Sequence, residues 1–344
     1  MDRIKKLTST LDTNEAYLIT GKANIFYYSG FTSEDATLFV SKNKLILITD
    51  SRYTVQAKEQ ARNFDIITDI KLLQNEPEKY LGFEENYMTV GEKQRLENIL
   101  KNKTFTPCQK CISKPRQVKS TDEIKKIQAA EELGDKAFSY IIEIIKPGMT
   151  ELEIALELEF FMKKNGAASL SFETIAASGI RGSMPHGTAS EKKIEKGELL
   201  TLDFGCVLDG YCSDMTRTIS IGTPNSKMKE IYDIVLKAQT EALSNISSGK
   251  SCKEIDKIAR DIISEYGYGD NFGHSLGHSV GIEIHEAPNL SPKSQDDLEA
   301  GNVVTVEPGI YIENVGGVRI EDVVAVTNEG CTNLTTSPKE LIIV

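Results

Sequence analysis

Apolar positions in the first hundred residues fall into short β-rich runs separated by stretches with helical spacing. Runs at 16–20, 37–40, 45–49, 65–69 and 88–91 predict strands, and 53–63 and 71–81 predict helices. That alternation predicts an α/β domain. Residues 113–120 (SKPRQVKS), polar with one proline, predict a linker. Past the linker the period lengthens: Ile124, Ile127, Ala130, Ala137, Ile141 and Ile144 recur near helical spacing. Ser120 with Glu123 forms a capping-box pattern at the start of this helix, and Pro147 with Gly148 stops it. Thr150 with Glu153 opens a second helix that ends at Asn165 and Gly166. A third is predicted over 228–246, and Ser251 with Glu254 opens a fourth that ends near Tyr266 and Gly267.

This second region repeats itself. Residues 147–154 (PGMTELEI) parallel 248–255 (SGKSCKEI) at an offset of 101, and 196–205 (KGELLTLDFG) parallel 300–309 (AGNVVTVEPG) at an offset of 104. The second match sets Asp203 on Glu307. Two halves of the same order, helix, helix, strand hairpin, predict a duplicated α+β unit with pseudo-twofold symmetry, its period too long for a solenoid.

Each half carries a hairpin with two acids. Residues 199–206 and 211–221 flank the turn signal Leu208, Asp209, Gly210, so Asp203 and Asp214 are expected nearly opposite one another. Residues 303–312 and 318–326 flank 314–317 (NVGG), and Glu307 is expected to face Glu321. Like charges facing across a strand pair destabilise it unless something neutralises them. The bland alternative, acids half-exposed on a solvated strand face, fits poorly with Leu, Val, Phe and Ile neighbours.

His278 lies in the glycine-rich run 272–281 (FGHSLGHSVG), followed by an alternating segment over 282–285 that predicts a strand. The run resembles a phosphate loop only loosely, because no Lys-Ser/Thr follows, and the nucleotide reading is rejected. A lone histidine is more often a satisfied core or surface residue. Here the four histidines are 186, 274, 278 and 285, three of them within twelve residues. Asp203, Asp214, His278, Glu307 and Glu321 therefore read as ligands for a pair of metal ions. Oxygen and nitrogen donors without thiolate suit Mn²⁺, Co²⁺, Fe²⁺ or Zn²⁺, and four carboxylates balance two divalent cations.

The bulk numbers refine this picture. A chain of 344 residues suggests two domains, and 40% apolar with 26% charged residues is ordinary for a globular protein. No apolar run approaches a membrane span, and residues 1–10 lack the apolar centre of a signal peptide, so a cytoplasmic protein without a membrane partner is expected. A net charge of −11 argues against nucleic acid as the main partner. Of the six cysteines only Cys108 and Cys111 have ligand-like spacing, and no second pair completes a zinc site. Reduced thiols are expected.

Several motifs together carry a family resemblance. They are 184–187 (MPHG), 202–205 (LDFG) with 214–216 (DMT), 277–288 (GHSVGIEIHEAP), 306–311 (VEPGIY) and 317–322 (GVRIED). In the first domain 24–31 (NIFYYSGF) and 49–53 (TDSRY) add to them. The chain resembles the pita-bread metallopeptidases: methionine aminopeptidase, Xaa-Pro aminopeptidase, prolidase and creatinase. The resemblance implies a creatinase-type, ribonuclease H-like α/β domain over 1–115 and a pita-bread dinuclear-metal peptidase domain over 121–344. It further implies two divalent ions, Mn²⁺ first among them. Asp203 would chelate one, His278 with Glu307 would hold the other, and Asp214 and Glu321 would bridge them.

Glu307 would move the proton of an activated water, His285 would hydrogen-bond the scissile carbonyl, and His186 would lie on the leaving-group side. Arg319, sharing a strand face with Glu321, would orient that carboxylate or gate the site, with surface pairing as the alternative. Thr216 would support Asp214. His274 and Tyr311 resemble positions near substrate, although a core role accounts for them equally. The resemblance also implies a homodimer formed through the N-terminal domain.

Within the family, the N-terminal domain argues against methionine aminopeptidase, and the complete ligand set argues against both creatinase and a metal-free binding module. The expected substrate is a peptide or dipeptide with proline in second place. The alternatives are methionine aminopeptidase or another N-terminal exopeptidase and, further off, a non-catalytic pita-bread binding module; a hydrolase acting on small molecules unrelated to peptides also stays open.

Overall fold

A computed structural model describes residues 2–33 and 35–344. The chain divides into two compact units, Met1–Arg116 and Gln117–Val344.

The first unit is built on a six-stranded mixed sheet. Its order is Asp65–Ile67, Leu45–Thr49, Ala36–Ser41, Glu15–Ile19, Tyr80–Phe83 and Thr104–Pro107. The middle strands pair antiparallel and the flanking ones parallel. One core gathers Leu18, Phe39, Ile46, Leu81 and Phe83 of the sheet with Leu73, Leu96 and Leu100 around it.

Two expectations fail in this unit. Residues 71–81 do not form a helix: a 3₁₀ turn, Ile70–Asn75, opens with the Asp69 carboxylate accepting from Lys71 N and stops before Pro77. Proline lacks an N–H and forces Glu76 into extended backbone, which leads into the strand Tyr80–Phe83. Residues 88–91 are not a strand either. The Thr89 hydroxyl accepts from Glu92 N and caps the helix Val90–Ile99. The helix predicted over 53–63 is the shorter Thr54–Gln60, entered by a 3₁₀ turn.

The second unit shows the repeat. Its first half has helices Thr121–Ile144 and Glu151–Lys164 packed on strands Ile175–Ser178, Leu199–Phe204 and Met215–Ser220, around Ala130, Phe138, Leu158, Leu202 and Phe204. Its second half has helices Ser226–Ser244 and Cys252–Glu265 on a five-stranded sheet that includes Gly277–Ser279, Val303–Val306 and Asp322–Val326. A small detail repeats as well: the isolated bridge Thr150↔Lys193 has its counterpart in Ser251↔Asp297. Ser120 and Thr150 form complete capping boxes with Glu123 and Glu153. Ser251 occupies the N-cap position too, but its hydroxyl makes no cap bond, so the box expected with Glu254 is absent.

The hairpin turn in the first half has both central residues in the left-handed region, Asp209 at φ 49° and Gly210 at φ 80°, the geometry of a type I′ turn. Arg217 ties the halves together. It is 1% exposed and pairs with Asp322 at 2.8 Å. It also donates to the carbonyls of Thr216, Glu321, Ser337 and Pro338. Asp322 takes further bonds from Gln239, Asn333 and Lys339. A charge pair this deep is sustained by such saturation, since burial alone opposes it.

Candidate metal centre

Both acid-bearing strand pairs are interrupted where the acids sit. Asp203 is the penultimate residue of Leu199–Phe204 and stands across from Thr216, not Asp214. Asp214 lies just before Met215–Ser220, two residues from Thr216, and so shares that face on the diagonal. Asp203 and Asp214, expected nearly opposite one another, thus stand two positions apart in register, on the diagonal of the pair. The two-residue turn Asp209–Gly210 sets this register, because Leu208↔Tyr211, Val207↔Cys212, Phe204↔Met215 and Asp203↔Thr216 fall on one unbroken count; at Gly205, where a Cβ would stand 2.0 Å from the Ser213 carbonyl oxygen, the strands approach too closely for a side chain. In the second half the ladder stops at Val306↔Asp322 and resumes at Gly309↔Arg319. The register is unchanged across the gap, which places Glu307 opposite Glu321.

His278 sits on the short strand Gly277–Ser279, held close to its neighbour by a second glycine contact: a Cβ at Gly277 would meet the Thr305 carbonyl at 2.0 Å. Thr305 Oγ1 accepts from His278 N at 3.0 Å and donates to Glu307 Oε1 at 3.2 Å. Residues 282–285, expected as a strand, form a bend, and the strand begins at Glu286. The Glu286 carboxylate accepts the backbone N–H of Ile282 and of Glu283, which curls that segment away from the ladder.

These pieces bring the donors together. One donor atom each from Asp214, His278 and Glu321 lie within 4.8 Å of one another. His278 Nε2 is 3.5 Å from Asp214 Oδ2 and 3.5 Å from Glu307 Oε1. Asp203 Oδ2 accepts from Arg319 Nη2 at 2.5 Å, while its Oδ1 is buried with no hydrogen-bond partner among the described residues.

Burial, and then the repulsion of Glu321, Asp203 and Glu307, pushes the Asp214 carboxyl well above the ordinary range. Burial with the charges of Glu307 and Asp203 does the same to Glu321. Burial raises Glu307 to about 8. His278 is driven the other way, to about 4, by burial and the neighbouring His285, so its imidazole is neutral with a lone pair to give. Crowded carboxylates, a neutral imidazole and an orphaned buried oxygen fit divalent cations by the chemistry of the donors.

Behind the donors runs a chain of hydrogen bonds. Arg319 Nε donates to Thr216 Oγ1 at 3.0 Å, and that hydroxyl donates to Glu321 Oε2 at 2.7 Å. Arg319 Nη1 donates to the Tyr311 hydroxyl at 2.8 Å and to the Pro185 carbonyl at 3.2 Å. The Tyr311 hydroxyl is 2.9 Å from His274 Nε2. Burial opposes the charge on Arg319, but Tyr311, Asp203 and the two glutamates hold it firmly protonated.

A cavity of about 620 Å³ opens over the donors, a size suited to a small ligand. His186, His274, His285 and Arg319 line it along with all five candidate ligands. The His278 and His285 rings meet edge to face at 4.3 Å. Burial and the adjacent His186 lower the His285 pKa, and burial with the charge of Arg319 takes His274 to about 4. Tyr311 is not among the lining residues; it reaches the cavity through Arg319 and His274.

Several residues of the site escape a reading of the sequence. Glu131, on the long helix, accepts from Asp214 N at 2.8 Å and from the Thr335 hydroxyl at 3.0 Å. Its one signal is an acid four residues after Ile127, on the apolar face. Phe172, Glu173, Ile284 and Asn289 also line the cavity, and nothing in their local pattern marks them.

Comparison with known proteins agrees with this geometry. Residues 125–328 match metallopeptidase family M24, and residues 3–118 match the creatinase/prolidase N-terminal domain. A Xaa-Pro dipeptidase of Pyrococcus horikoshii is 42% identical over 99% of both chains. A solved Xaa-Pro dipeptidase from Bacillus anthracis superposes with a TM-score of 0.97 at 44% identity, covering 100% of this chain and 99% of its own. A solved X-Pro aminopeptidase from Thermotoga maritima gives 0.93 at 39% identity over the full length of both. The duplicated helix and hairpin units with their inward-facing acids are thus the pita-bread fold, and the chain belongs to metallopeptidase family M24.

Proposed function

We propose that the protein is a metal-dependent exopeptidase that hydrolyses the Xaa-Pro bond at the N-terminus of peptides. The observation that carries this reading is the convergence of four acids and a neutral imidazole in one cavity of an M24 chain. That chain matches proteins named for Xaa-Pro cleavage along its full length.

In this reading His278 with Glu307 would hold one cation and Asp203 the other, and Asp214 and Glu321 would be shared between them. Bound divalent cations supply the charge that acidifies a water and polarises the scissile carbonyl. A carboxylate oxygen of Glu307 takes the proton of the attacking water and passes it to the proline nitrogen. That nitrogen carries no hydrogen in a tertiary amide and must gain one to leave. His285, neutral and with one N–H, donates to the carbonyl oxygen as negative charge develops there. His186 sits on the leaving-group side. Arg319 holds Asp203 directly and Glu321 through Thr216, so that both carboxylates keep one orientation.

The oxygen-rich donor set supports Mn²⁺ as the working ion, with Co²⁺, Fe²⁺ or Zn²⁺ as alternatives. In the same proposal residues 1–115 form the accessory domain through which two copies pair, and residues 121–344 carry the chemistry. All six cysteines are free thiols, which supports a reducing cytoplasmic setting.

The test is an assay of the full chain with Mn²⁺ or Co²⁺ on Xaa-Pro substrates. Release of the free first amino acid is expected, abolished by chelation and by Asp214→Asn. A folded, metal-loaded chain inert on every Xaa-Pro peptide but active on Met-Ala peptides would transfer the assignment to methionine aminopeptidase.

A further inference from the structure

Lys119 precedes Ser120, the N-cap of the long helix Thr121–Ile144, and its ammonium is turned into the protein. The Lys119 side chain is 1% exposed, and that of Glu286, its partner at 3.2 Å, is 4% exposed. Desolvation opposes so deep a pair unless further hydrogen bonds complete it. Those bonds are present. Lys119 Nζ also donates to Ser279 Oγ at 2.8 Å, and that hydroxyl donates to the Val303 carbonyl at 2.8 Å. The backbone N–H of Lys119 donates to the Gly301 carbonyl at 2.8 Å, so the lysine is pinned at both ends.

The two carboxylate oxygens of Glu286 have separate partners. Oε2 takes the ammonium, while Oε1 accepts the N–H of Ile282 at 3.0 Å and of Glu283 at 3.1 Å. The ammonium thereby sets the rotation of the carboxylate, and the carboxylate sets the curl of the backbone. Gly281 gives it room, since a Cβ there would stand 2.7 Å from the carboxyl carbon and from both oxygens. The curl is tied further by Gly281 N to the Glu283 carbonyl at 3.1 Å and by Cys212 N to the Gly281 carbonyl at 2.8 Å. The sheet register breaks at the same place, passing from His278↔Asn289 to Ser279↔Glu286. His285 is the residue before Glu286. Glu286 turns inward to Lys119, whereas His285 is exposed in the cavity with its ring 4.3 Å from that of His278.

We propose, resting on the role given to His285 above, that Lys119 and Glu286 form a buried clamp that aims His285 at the scissile carbonyl. Neither is among the residues lining the cavity, so both are positioning residues that act through the bend. A donor stabilises an oxyanion only from the place where the charge will develop, and a small displacement of it is felt in turnover more than in binding. A pair that served the fold alone would instead weaken stability, metal binding and turnover together.

The experiment is a double-mutant cycle on the Mn²⁺-loaded full chain with Ala-Pro-Ala as substrate. Glu286→Gln keeps the shape of the side chain and removes the charge that meets Lys119. We expect kcat to fall about tenfold or more, with KM and metal content changed less than about twofold. In a His285→Ala background the same substitution should cost less than about twofold, because the group being aimed is gone. Equal losses in the two backgrounds overturn the proposal. Lys119→Met should give the same pattern; should it not fold, Lys119→Met joined to Glu286→Gln removes both charges at once, and an unimpaired kcat in that variant also overturns the clamp. A second readout needs no turnover. The chain has four histidines, so the imidazole C–H signals of the metal-free, ¹³C-histidine-labelled protein can be assigned by substitution. The His285 signal should shift or broaden in Glu286→Gln while that of His186 stays in place, and an unmoved His285 signal overturns the proposal. Undiminished kcat in His285→Ala alone would withdraw the role of His285 and the clamp with it, a result distinct from equal losses, which remove the clamp and leave that role standing.

Discussion

Asp214 keeps little freedom of its own. Its N–H is fixed by Glu131, and its carboxylate faces His278 Nε2 at 3.5 Å with Glu321 close by. Asp214→Asn preserves shape and removes a charge that metal binding needs. Metal content by elemental analysis should fall below two ions per chain, and kcat should drop by more than about 100-fold, beyond the range typical of supporting residues. Arg319 tests a different point. Its planar fork holds Asp203, Thr216 and Tyr311 at once, which a lysine cannot do. Arg319→Lys should retain most of the metal and lose roughly 10- to 100-fold in kcat, read from paired metal analysis and kinetics. The five candidate ligands were legible in the sequence because acids and histidines on otherwise apolar strands are costly to bury without a cation to hold. Asn289 was not legible, because an asparagine near a strand end is ordinary anywhere.

Among the elements, the ligand geometry depends on where strands break. Gly205 and Gly277 each let a strand pass a neighbouring carbonyl at a distance no side chain permits. Gly205→Ala should force the Asp203 and Asp214 strands apart, costing about 1–3 kcal/mol or more. Thermal denaturation and metal titration should record a lower Tm and weaker binding together. Glu131 joins a helix to the same spot, and Glu131→Ala removes the acceptor of a buried N–H, at about 1–3 kcal/mol. The isosteric Glu131→Gln keeps an acceptor and should recover most of the metal affinity, which separates anchoring of Asp214 from general packing. Amphipathic helices and the Asp209–Gly210 turn were readable because period and turn chemistry are local. The failures at 71–81 and 88–91 were local too: Pro77 and the Thr89 cap were present but outweighed by apolar runs. The diagonal placement of Asp203 and Asp214 follows from the same Asp209–Gly210 turn, since counting back from Leu208↔Tyr211 sets Asp203 across from Thr216.

For the molecule as a whole, clustered charge makes stability depend on pH once metal is stripped. Asp214, Glu321 and Glu307 have raised carboxyl pKa values, Glu307 at about 8 against an ordinary 4.5. The folded chain then holds protons that the unfolded chain releases, so stability falls as pH rises from about 4.5 to about 8. His274 and His278, lowered to about 4 from an ordinary 6.5, act oppositely, adding stability as pH rises through that lower range. Between pH 6.5 and 8 the carboxylates act alone. The chelated protein should lose Tm steadily across that interval, and Mn²⁺ should flatten the slope, as scanning calorimetry would record.

Arg217 has a consequence for the duplicated architecture. By the alignment that sets Asp214 on Glu321, the residue matching Asp322 in the first repeat is Met215, and the residue matching Arg217 in the second is Val324. A first repeat docked onto another first repeat would thrust a guanidinium against a thioether, and two second repeats would strand an aspartate beside a valine. The two lobes have become lock and key to each other, so neither can stand in for its twin.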